Sequence, residues 1–354
     1  MTAPDAATPE PASPAEPAAA SASRPKLLFV GSSGRSGSTL FDLVVGQVPG
    51  FVAVGEAGRL WVAGRVDRLV CGCGSPVREC AFWTAAAERA FGGWDGPDYA
   101  RAVALRPTLV RSRHLPLLLR PGAGRNFQRR AAEFGELADR LYTAIAQVAG
   151  ADVVVDSSKE AGYATLLQRS LGPRFRLVHL VRNPKGVAYS WTKIVAKPLA
   201  ALAPTSDPAA GPAAAAGSQA QPDGARAQLH RFSPRTSALR WVVLNRFLDH
   251  LATRSAKSLL VRYESFVSDP AGQLQQVETV VDRAPSASYP HLSGNSVTTA
   301  VKHTVAGNPM RMDARGLMLR LDEQWRSGLT PREQRTVDRI TRPLQRKYGY
   351  GEVC

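Results

Sequence analysis

Lys26–Thr39, with the sequence KLLFVGSSGRSGST, is the segment from which the architecture of this chain is most directly inferred. Its first residues form an apolar run typical of a buried strand, and the LFDLVVGQV that follows it is typical of a helix. Between them lies a loop of glycines, hydroxyl side chains and one cation. Because the first backbone N–H groups of a helix lack partners within it, an anion binds there readily. The segment predicts a strand–loop–helix unit that holds a phosphate or phosphosulfate group.

Two glycines and an arginine supply the anion-binding chemistry of this loop. Gly34 and Gly37 allow backbone angles that other residues avoid, so a phosphate can approach the main chain. Arg35 adds a fixed positive charge and a fork of donors suited to oxyanions. In a triphosphatase loop counted from Gly31, a second glycine would fall at Ser36 and a lysine would follow, and neither is present. We therefore give Arg35 the role of that lysine. A glycine-rich turn without a ligand is the alternative.

Length and composition favour one large domain. The chain has 354 residues, and residues 1–24 are rich in Ala, Pro, Ser and acids, which predicts a disordered tail. A second Ala-, Pro- and Gly-rich stretch at about 198–231 is interpreted as a flexible insertion within a single domain, 25–354. No segment suits a secretory signal or a bilayer span, so the sequence predicts a cytoplasmic protein without a transmembrane segment.

The chain is strongly basic. Its 45 basic and 29 acidic residues give a net charge of +16, which indicates anionic partners. The basic residues are spread along the chain, and no basic stripe is interleaved with aromatic residues, so we expect no nucleic-acid partner. The charge is better explained by a nucleotide or by an acidic substrate, with part of it reflecting a general preference for arginine.

Four cysteines, at positions 71, 73, 80 and 354, raise the question of a metal or a disulfide. A structural zinc normally has four ligands, and the first three cysteines have no histidine near them in the sequence. A disulfide would suit a secreted chain, and nothing here directs secretion. The sequence predicts reduced thiols and no metal, and it leaves the role of Cys71, Cys73 and Cys80 open.

Strand and helix patterns alternate along the chain, which indicates an α/β domain with a parallel sheet. Strands are predicted at Lys26–Gly31, Phe51–Gly55, Asp152–Asp156, Phe175–Val181 and Ser258–Val261. Helices are predicted after the first strand to Gln47, at Asn126–Val148, at Glu160–Ser170, from Pro184, and at Ser237–Arg254. The fold class is a P-loop-like central parallel sheet flanked by helices, followed by a C-terminal third of mostly helix and loop.

Polar residues follow each predicted strand. Ligands bind beyond the carboxyl ends of the strands in such sheets, so these residues are expected to share one rim. They are Arg35, Glu56, Asp156 to Lys159, Arg182 with Asn183, and Arg262 to Glu264.

Four segments resemble sulfotransferases that use 3′-phosphoadenosine 5′-phosphosulfate (PAPS). GSSGRSGSTL resembles the 5′-phosphosulfate loop, in the arginine version of tyrosylprotein and bacterial glycolipid enzymes. LVHLVRNPKGVAYSW resembles the 3′-phosphate segment, with Arg182 and Ser190 in the binding positions. VRYESFVSDP resembles the Tyr-Glu segment near the adenine, and HTVAGNPMR resembles a late loop that closes over the nucleotide.

The resemblance implies PAPS as sulfuryl donor, PAP as product and no metal, with Arg35 and Arg182 holding opposite ends of one donor. The acceptor would be a hydroxyl of a small molecule, carbohydrate or glycolipid. The residues implied in donor binding are Ser33, Gly34, Arg35, Ser36, Gly37, Ser38, Thr39, Arg182, Ser190, Tyr263, Gly307, Asn308 and Arg311.

Three catalytic residues are predicted at the rim. Glu56 matches the glutamate base of the tyrosylprotein and glycolipid enzymes, and its alternative role is a surface partner of Arg59. Arg35 would neutralise charge on the leaving phosphate oxygen, and Lys159 would be a second cation at the transferring group or a surface lysine. His303 and Asp156 are the next candidates for the base.

The family pattern is incomplete on the acceptor side. The catalytic histidine of the small-molecule enzymes has no counterpart here, and in GEAGRL the arginine falls one residue later than in tyrosylprotein enzymes. A kinase-like phosphotransferase that uses ATP, with the DVVVD strand holding magnesium, is the alternative function. The acceptor's identity and the oligomeric state stay open.

Overall fold

A five-stranded parallel sheet forms the centre of the part of the chain that the computed structural model describes, residues 24–120, 124–193, 231–300, 302–312 and 316–351. The predicted tail before Arg24 and the predicted insertion before Arg231 lie outside these residues. The strands are β1 (Lys26–Ser32), β2 (Phe51–Gly55), β3 (Val153–Asp156), β4 (Phe175–Val181) and β5 (Lys257–Arg262). The predicted α/β class and all five predicted strands are confirmed.

The strand order is β2-β3-β1-β4-β5, and every neighbouring pair is parallel. From β1 the chain builds one half of the sheet through β2 and β3, then crosses to β4 and β5 on the other side. The order therefore reverses between β1 and β4, and a crevice opens there beyond the carboxyl ends of the strands. This topology places the loop after β1 beside the loop after β4.

Helices cover both faces of the sheet, and most of the predicted ones are found within a few residues of their expected bounds. Within the described residues they are α1 (Ser38–Val45), α2 (Ala81–Phe91), α3 (Pro97–Leu109), α4 (Leu115–Leu119), α5 (Arg125–Ala149), α6 (Ala161–Leu171), α7 (Pro184–Thr192), α8 (Pro234–Ala252), α9 (Tyr263–Ser268), α10 (Pro270–Val280), α11 (Trp325–Gly328) and α12 (Pro331–Lys347). α8 begins three residues earlier than predicted because Ser233 caps it, accepting a hydrogen bond from the backbone N–H of Thr236.

Side chains of β1 alternate between two hydrophobic cores. Leu27 and Phe29 pack into a core shared with α2, α3, α5 and α6, and Leu28 and Val30 pack into a core shared with α1 and α10. All four are almost completely buried. A strand with helices on both sides is apolar throughout, which explains why VVVD and FRLVHLV carry so few polar residues.

The C-terminal third adds a second, small antiparallel sheet of β6 (Leu292–Ser293), β7 (Ser296–Val297) and β8 (Leu317–Met318). Sequence reasoning missed these strands because two residues are too few to show an alternating pattern. Val305 also pairs with Gly55, at the edge of the large sheet. Among the described residues, no helix combines the length and the apolar character that crossing a bilayer requires.

Candidate active site

The loop between β1 and α1 makes a sharp turn. Arg35 and Gly37 both have positive φ angles, 71° and 88°, and the hydroxyls of Ser33 and Ser36 are hydrogen-bonded at 2.7 Å. α1 then begins at Ser38 with no side-chain cap and no acidic residue in its first turn. The first N–H groups of α1 are therefore not neutralised by a side chain, as an anion site at a helix N-terminus requires.

The two glycines of this loop are required by aromatic neighbours. A Cβ added at Gly34 would lie 2.7 Å from the ring of Trp191, and one at Gly37 would lie 2.5 Å from the ring of Tyr263. Sequence reasoning explained both glycines by the approach of a phosphate alone. The structure adds a packing reason, since the rings of α7 and α9 close directly over the loop.

Arg35 is half-buried, and its guanidinium carbon lies 5.1 Å from the centre of the Trp191 ring. Burial lowers the pKa of Arg35 from its ordinary value. No carboxylate among the described residues pairs with this side chain. A cation stacked on an indole without an acidic partner retains its capacity to bind an external anion.

Arg182 directly follows β4 and contacts the same loop. Its Nη1 donates to the backbone carbonyl of Arg35 at 3.1 Å, and its guanidinium carbon lies 4.5 Å from the centre of the Tyr263 ring. Its Nη2 donates to the carboxylate of Asp322 at 3.0 Å. The structure thus brings the loops after β1 and β4 together, as the topology requires.

Asp322 is a residue that sequence reasoning missed. Burial raises its pKa, but the hydrogen bond and charge of Arg182 outweigh burial, and the pKa lies below its ordinary value. Lys193 Nζ lies 3.6 Å from the same carboxylate oxygen. Asp322 is therefore an ionised carboxylate that pairs with Arg182, the arginine predicted to bind the 3′-phosphate.

The other donor-binding candidates on this side lie on neighbouring helices. Ser190 is half-buried in the last turn of α7. The hydroxyl of Tyr263 donates to the carbonyl of Arg320 at 3.3 Å, so its tip is anchored as well as its ring. Glu264 accepts from the backbone N–H of Asn183 at 3.0 Å, which ties the Tyr-Glu segment to the loop after β4.

Glu56 and Lys159 form a half-buried ion pair just after the ends of β2 and β3. Lys159 Nζ lies 2.7 Å from one carboxylate oxygen of Glu56, and Arg59 Nε lies 3.3 Å from the other. The Glu56 and Lys159 side chains are only 14% and 16% exposed. Burial raises the pKa of Glu56, but the charges of Lys159 and Arg59 outweigh it and leave the pKa below its ordinary value. The predicted base is thus held as a carboxylate.

The late loop reaches Glu56 from the far end of the chain. Glu56 N donates to the carbonyl of Val305 at 2.8 Å, and Asn308 N donates to the hydroxyl of Thr39 at 3.3 Å. Gly307 has φ of 90°, and a Cβ there would lie 3.2 Å from Thr39 Oγ1 and 3.9 Å from Glu56 Oε1. Four predicted site residues therefore lie together at the N-terminus of α1.

Arg311 has a different environment from the other predicted nucleotide ligands. It is buried, and its two terminal nitrogens donate to the carbonyls of Thr304 and Val70, both at 2.8 Å. Burial lowers its pKa. The side chain joins the late loop to the segment after β2, and its predicted contact with the nucleotide stays a prediction.

A cleft lies between α1, the ends of β2 and β3, and the late loop, with a volume of about 200 Å³ if the open solvent at its mouth is included. Its lining combines hydroxyls, carboxylates and backbone of α1, the strand ends and the late loop. A larger cleft of about 930 Å³ between α5 and α6 lies away from the strand ends that carry the predicted chemistry. The residues that line the smaller cleft are Thr39, Asp42, Leu43, Gly55, Glu56, Ser157, Thr304, Ala306, Gly307 and Arg311.

Two further carboxylates are buried here: Asp42, which lines the cleft, and Asp156, at the end of β3. Asp156 is fully buried and accepts from the hydroxyl of Tyr142 at 2.5 Å, from Ser158 N at 2.7 Å and from the Ser158 hydroxyl. Burial raises its pKa to about 6. Asp42 accepts from the Ser157 hydroxyl, and burial raises its pKa to about 8. Sequence reasoning missed Asp42, which has the appearance of an ordinary polar position on an amphipathic helix.

No protein-family model and no curated protein matches the chain. Several solved structures match it, and two of them cover most of its length. The sulfotransferase domain from the curacin biosynthetic pathway is 14% identical with a TM-score of 0.41, covering 91% of this chain and 98% of that chain. The sulfotransferase domain from the Synechococcus PCC 7002 olefin synthase is 18% identical with a TM-score of 0.44, covering 91% and 95%.

Proposed function

We propose that this protein transfers the sulfuryl group of PAPS to an acceptor hydroxyl. The observation that carries the proposal is the half-buried pair of Glu56 and Lys159 beside Thr39, at the uncapped N-terminus of α1. A carboxylate base and a cation at an anion site are the groups that such a transfer needs. The acceptor class, a small molecule, carbohydrate or glycolipid, follows from the motif resemblance alone, and the cytoplasmic location stays a prediction from the sequence.

The donor would be bound by the crevice between β1 and β4. The N-terminus of α1, with Ser38 and Thr39, would bind the 5′-phosphosulfate, and Arg182 would bind the 3′-phosphate with Ser190 nearby. Arg182 already forms an ion pair with the Asp322 carboxylate, so a phosphate dianion must displace this carboxylate or share the arginine with it. Arg35, which pairs with no carboxylate among the described residues, would neutralise the leaving phosphate oxygen.

Chemistry would take place at Glu56. The acceptor oxygen forms a bond to sulfur while the bond between sulfur and the phosphate oxygen breaks, and the acceptor proton passes to the Glu56 carboxylate. Lys159 would have two effects: it would keep Glu56 ionised, and its positive charge would stabilise the negative charge that gathers on the sulfuryl oxygens. Gly307 leaves room beside the carboxylate because it has no side chain.

The phosphotransferase alternative receives less support from the geometry. It requires the carboxylate at the end of β3, Asp156, to face a magnesium ion. Asp156 instead accepts three hydrogen bonds and is fully buried. The same contacts make it a poor second choice for the base, since its oxygens already have donors.

A ligand screen with one variant tests the proposal. PAP should raise the melting temperature of the full chain, whereas ATP with magnesium and a generic RNA should not. Radiolabelled PAPS mixed with cell extract should yield a labelled product. Glu56→Gln should lower that labelling by a factor of roughly 10²–10⁴ and keep the PAP shift, because only the proton acceptor is lost. Glu88→Gln, an exposed glutamate of α2, is the matched control. A melting temperature that rises with ATP and magnesium but not with PAP would refute the proposal.

A further inference from the structure

Three cysteines and a histidine meet at one point beside the candidate site. The thiol sulfurs of Cys71, Cys73 and Cys80 and a ring nitrogen of His303 all lie within 4.8 Å of one another. The sequence prediction of no metal rested on the absence of a nearby histidine. In the folded chain His303 fills that place, although it lies 223 residues after Cys80.

Four of the six distances between the ligand atoms of this cluster are those of a tetrahedral site. Cys80 Sγ lies 3.7 Å from both Cys71 Sγ and Cys73 Sγ. His303 Nδ1 lies 3.6 Å from Cys71 Sγ and 3.4 Å from Cys80 Sγ. Around a tetrahedral zinc with Zn–S of about 2.3 Å and Zn–N of about 2.0 Å, neighbouring sulfurs lie about 3.8 Å apart, and sulfur and nitrogen about 3.5 Å apart. Four separations agree with these edges to within a few tenths of an ångström.

The distances do not fit a disulfide. Sulfur atoms in a disulfide are about 2.05 Å apart, far closer than any pair here. A disulfide would also use two of the three cysteines and leave a thiol and an imidazole beside it. Direct hydrogen bonding among thiols is weak and gives no reason for four such groups to converge. A single ion explains the placement of all four.

The local backbone is shaped to present these sulfurs. Cys71 N donates to the carbonyl of Ser75 at 2.8 Å, and Gly74 N donates to the carbonyl of Cys71 at 3.0 Å. Gly74 has a φ of 96°, which a residue with a side chain rarely adopts. Cys80 then stands at the N-cap of α2. A tight turn followed by a helix start thus directs three sulfurs to one point.

The histidine is held in position by its neighbours. Its ring is stacked on Phe82 with centroids 4.6 Å apart and planes 7° from parallel. Its backbone carbonyl accepts a hydrogen bond from Trp83 Nε1 at 2.9 Å. These contacts fix the ring with Nδ1 towards the sulfurs, as a metal ligand requires.

We propose that Cys71, Cys73, Cys80 and His303 bind one structural Zn²⁺. Three thiolates and a neutral imidazole complete the four-coordinate shell, which has no position left for substrate, and binding releases the thiol protons to water. The ion would fasten the late loop to the segment after β2. Two contacts beside it have the same effect, the Gly72 N donor to the Thr304 carbonyl at 2.8 Å and the Cys71–Val305 bridge. Because this loop carries Gly307 and Asn308, the zinc would hold one wall of the proposed active site.

Metal analysis of the full chain, purified under reducing conditions with any affinity tag removed, tests this site directly. We expect one zinc per chain. Replacement with cobalt should produce the strong visible absorption of tetrahedral cobalt and a thiolate charge-transfer band. Cys73→Ser, which replaces the exposed ligand, should bind no zinc and should give no tetrahedral cobalt spectrum. His303→Cys creates a site of four thiolates and should keep both the zinc and the cobalt spectrum. His250→Ala and Cys354→Ser are the histidine and thiol controls and should keep the metal.

The readouts separate this proposal from the sulfotransferase proposal, because zinc content and cobalt spectra need neither donor nor acceptor. Zinc at the level of the buffer blank, together with no cobalt spectrum in a folded protein, would overturn it. Iron in place of zinc would overturn the assignment of the ion. Retention of one zinc per chain by Cys73→Ser and by His303→Ala alike would show that the metal is bound elsewhere.

Discussion

The two halves of the strand-end rim differ in how the chain builds them. Between β1 and β4, the anion site consists of a continuous loop and a strand-end arginine, Arg182, whose guanidinium contacts the backbone of that loop. Between β2 and β3, Glu56 and Lys159 face a loop that arrives from beyond residue 300. The first half is encoded by local sequence, and the second exists only after distant segments have packed together.

The halves also differ in electrostatics. In the first half Arg35 has no acidic partner among the described residues, and Arg182 has an internal one in Asp322. In the second half a carboxylate and an ammonium already neutralise each other. The first half is therefore suited to bind an anion, and the second to move a proton. Each of the following substitutions tests one side of that distinction.

Removing Arg182 should have the largest effect on binding. We expect Arg182→Ala to weaken PAP binding by about 2–5 kcal/mol, because it removes a buried cation and leaves only Lys193 beside the Asp322 carboxylate. Isothermal titration of PAP measures this directly. Arg326→Ala, an exposed arginine paired with Glu323, is a suitable control. Unchanged affinity would mean that the 3′-phosphate does not bind here.

Removing the negative charge of Asp322 should change PAP affinity in the opposite direction. Asp322→Asn removes the charge that competes with a phosphate for Arg182 and keeps the shape of the side chain. We expect PAP affinity to rise several-fold, with a smaller gain at high salt because ionic strength screens both charges. Titrations at two salt concentrations check the prediction, which a weaker affinity for PAP would contradict.

The ion pair in the second half predicts a shift in the pH dependence of activity. In Lys159→Met, burial raises the pKa of Glu56 with only Arg59 opposing it. Because the base must be ionised, the acid limb of the pH–rate profile should move to higher pH, by roughly one to three units. Lys257→Met, at the opposite end of the sheet, should leave the limb unchanged. A lower rate with no shift of the acid limb would mean that Lys159 acts only on the transferring sulfuryl group and does not set the pKa of Glu56.

The buried carboxyl of Asp42, which lines the cleft, predicts an effect on stability rather than on PAP binding or on the rate. The pKa of Asp42 is raised to about 8, so the folded chain keeps a proton that the unfolded chain releases near pH 4. The free energy of unfolding should therefore fall as pH rises through that window, by at most about 1.4 kcal/mol per pH unit from this group. Asp42→Asn should flatten the dependence, as urea unfolding at about pH 5 and about pH 8 would show. An equally steep decline in the variant would contradict this.

The first half of the rim could be predicted from the sequence because its information is contiguous. KLLFVGSSGRSGST contains the strand, the turn residues and the start of the helix, and the apolar runs of β3 and β4 fix their places in the sheet. The observed bounds of β2 and β4 agree residue for residue with the prediction. Patterns of this kind depend on local backbone preferences and on burial, and both are visible in a single segment.

The rest could not be predicted because it depends on contacts between distant segments. Nothing near Arg182 in the sequence indicates Asp322, and nothing near the cysteines indicates His303. Trp191 and Tyr263 explain two glycines of the first loop from positions more than a hundred residues later. A signal was available for one of these, since three close cysteines favour a search for a fourth ligand anywhere in the chain.

The long separation between Cys71 and His303, 232 residues, has a consequence for folding. Contacts so far apart in the chain must overcome a large loop-closure entropy, and they form late. On the ribosome, the N-terminal strands emerge well before the late loop is synthesised. The edge of the nascent sheet at Gly55 therefore stays unpaired until Val305 has been synthesised. Aggregation through that edge is most favoured during this interval.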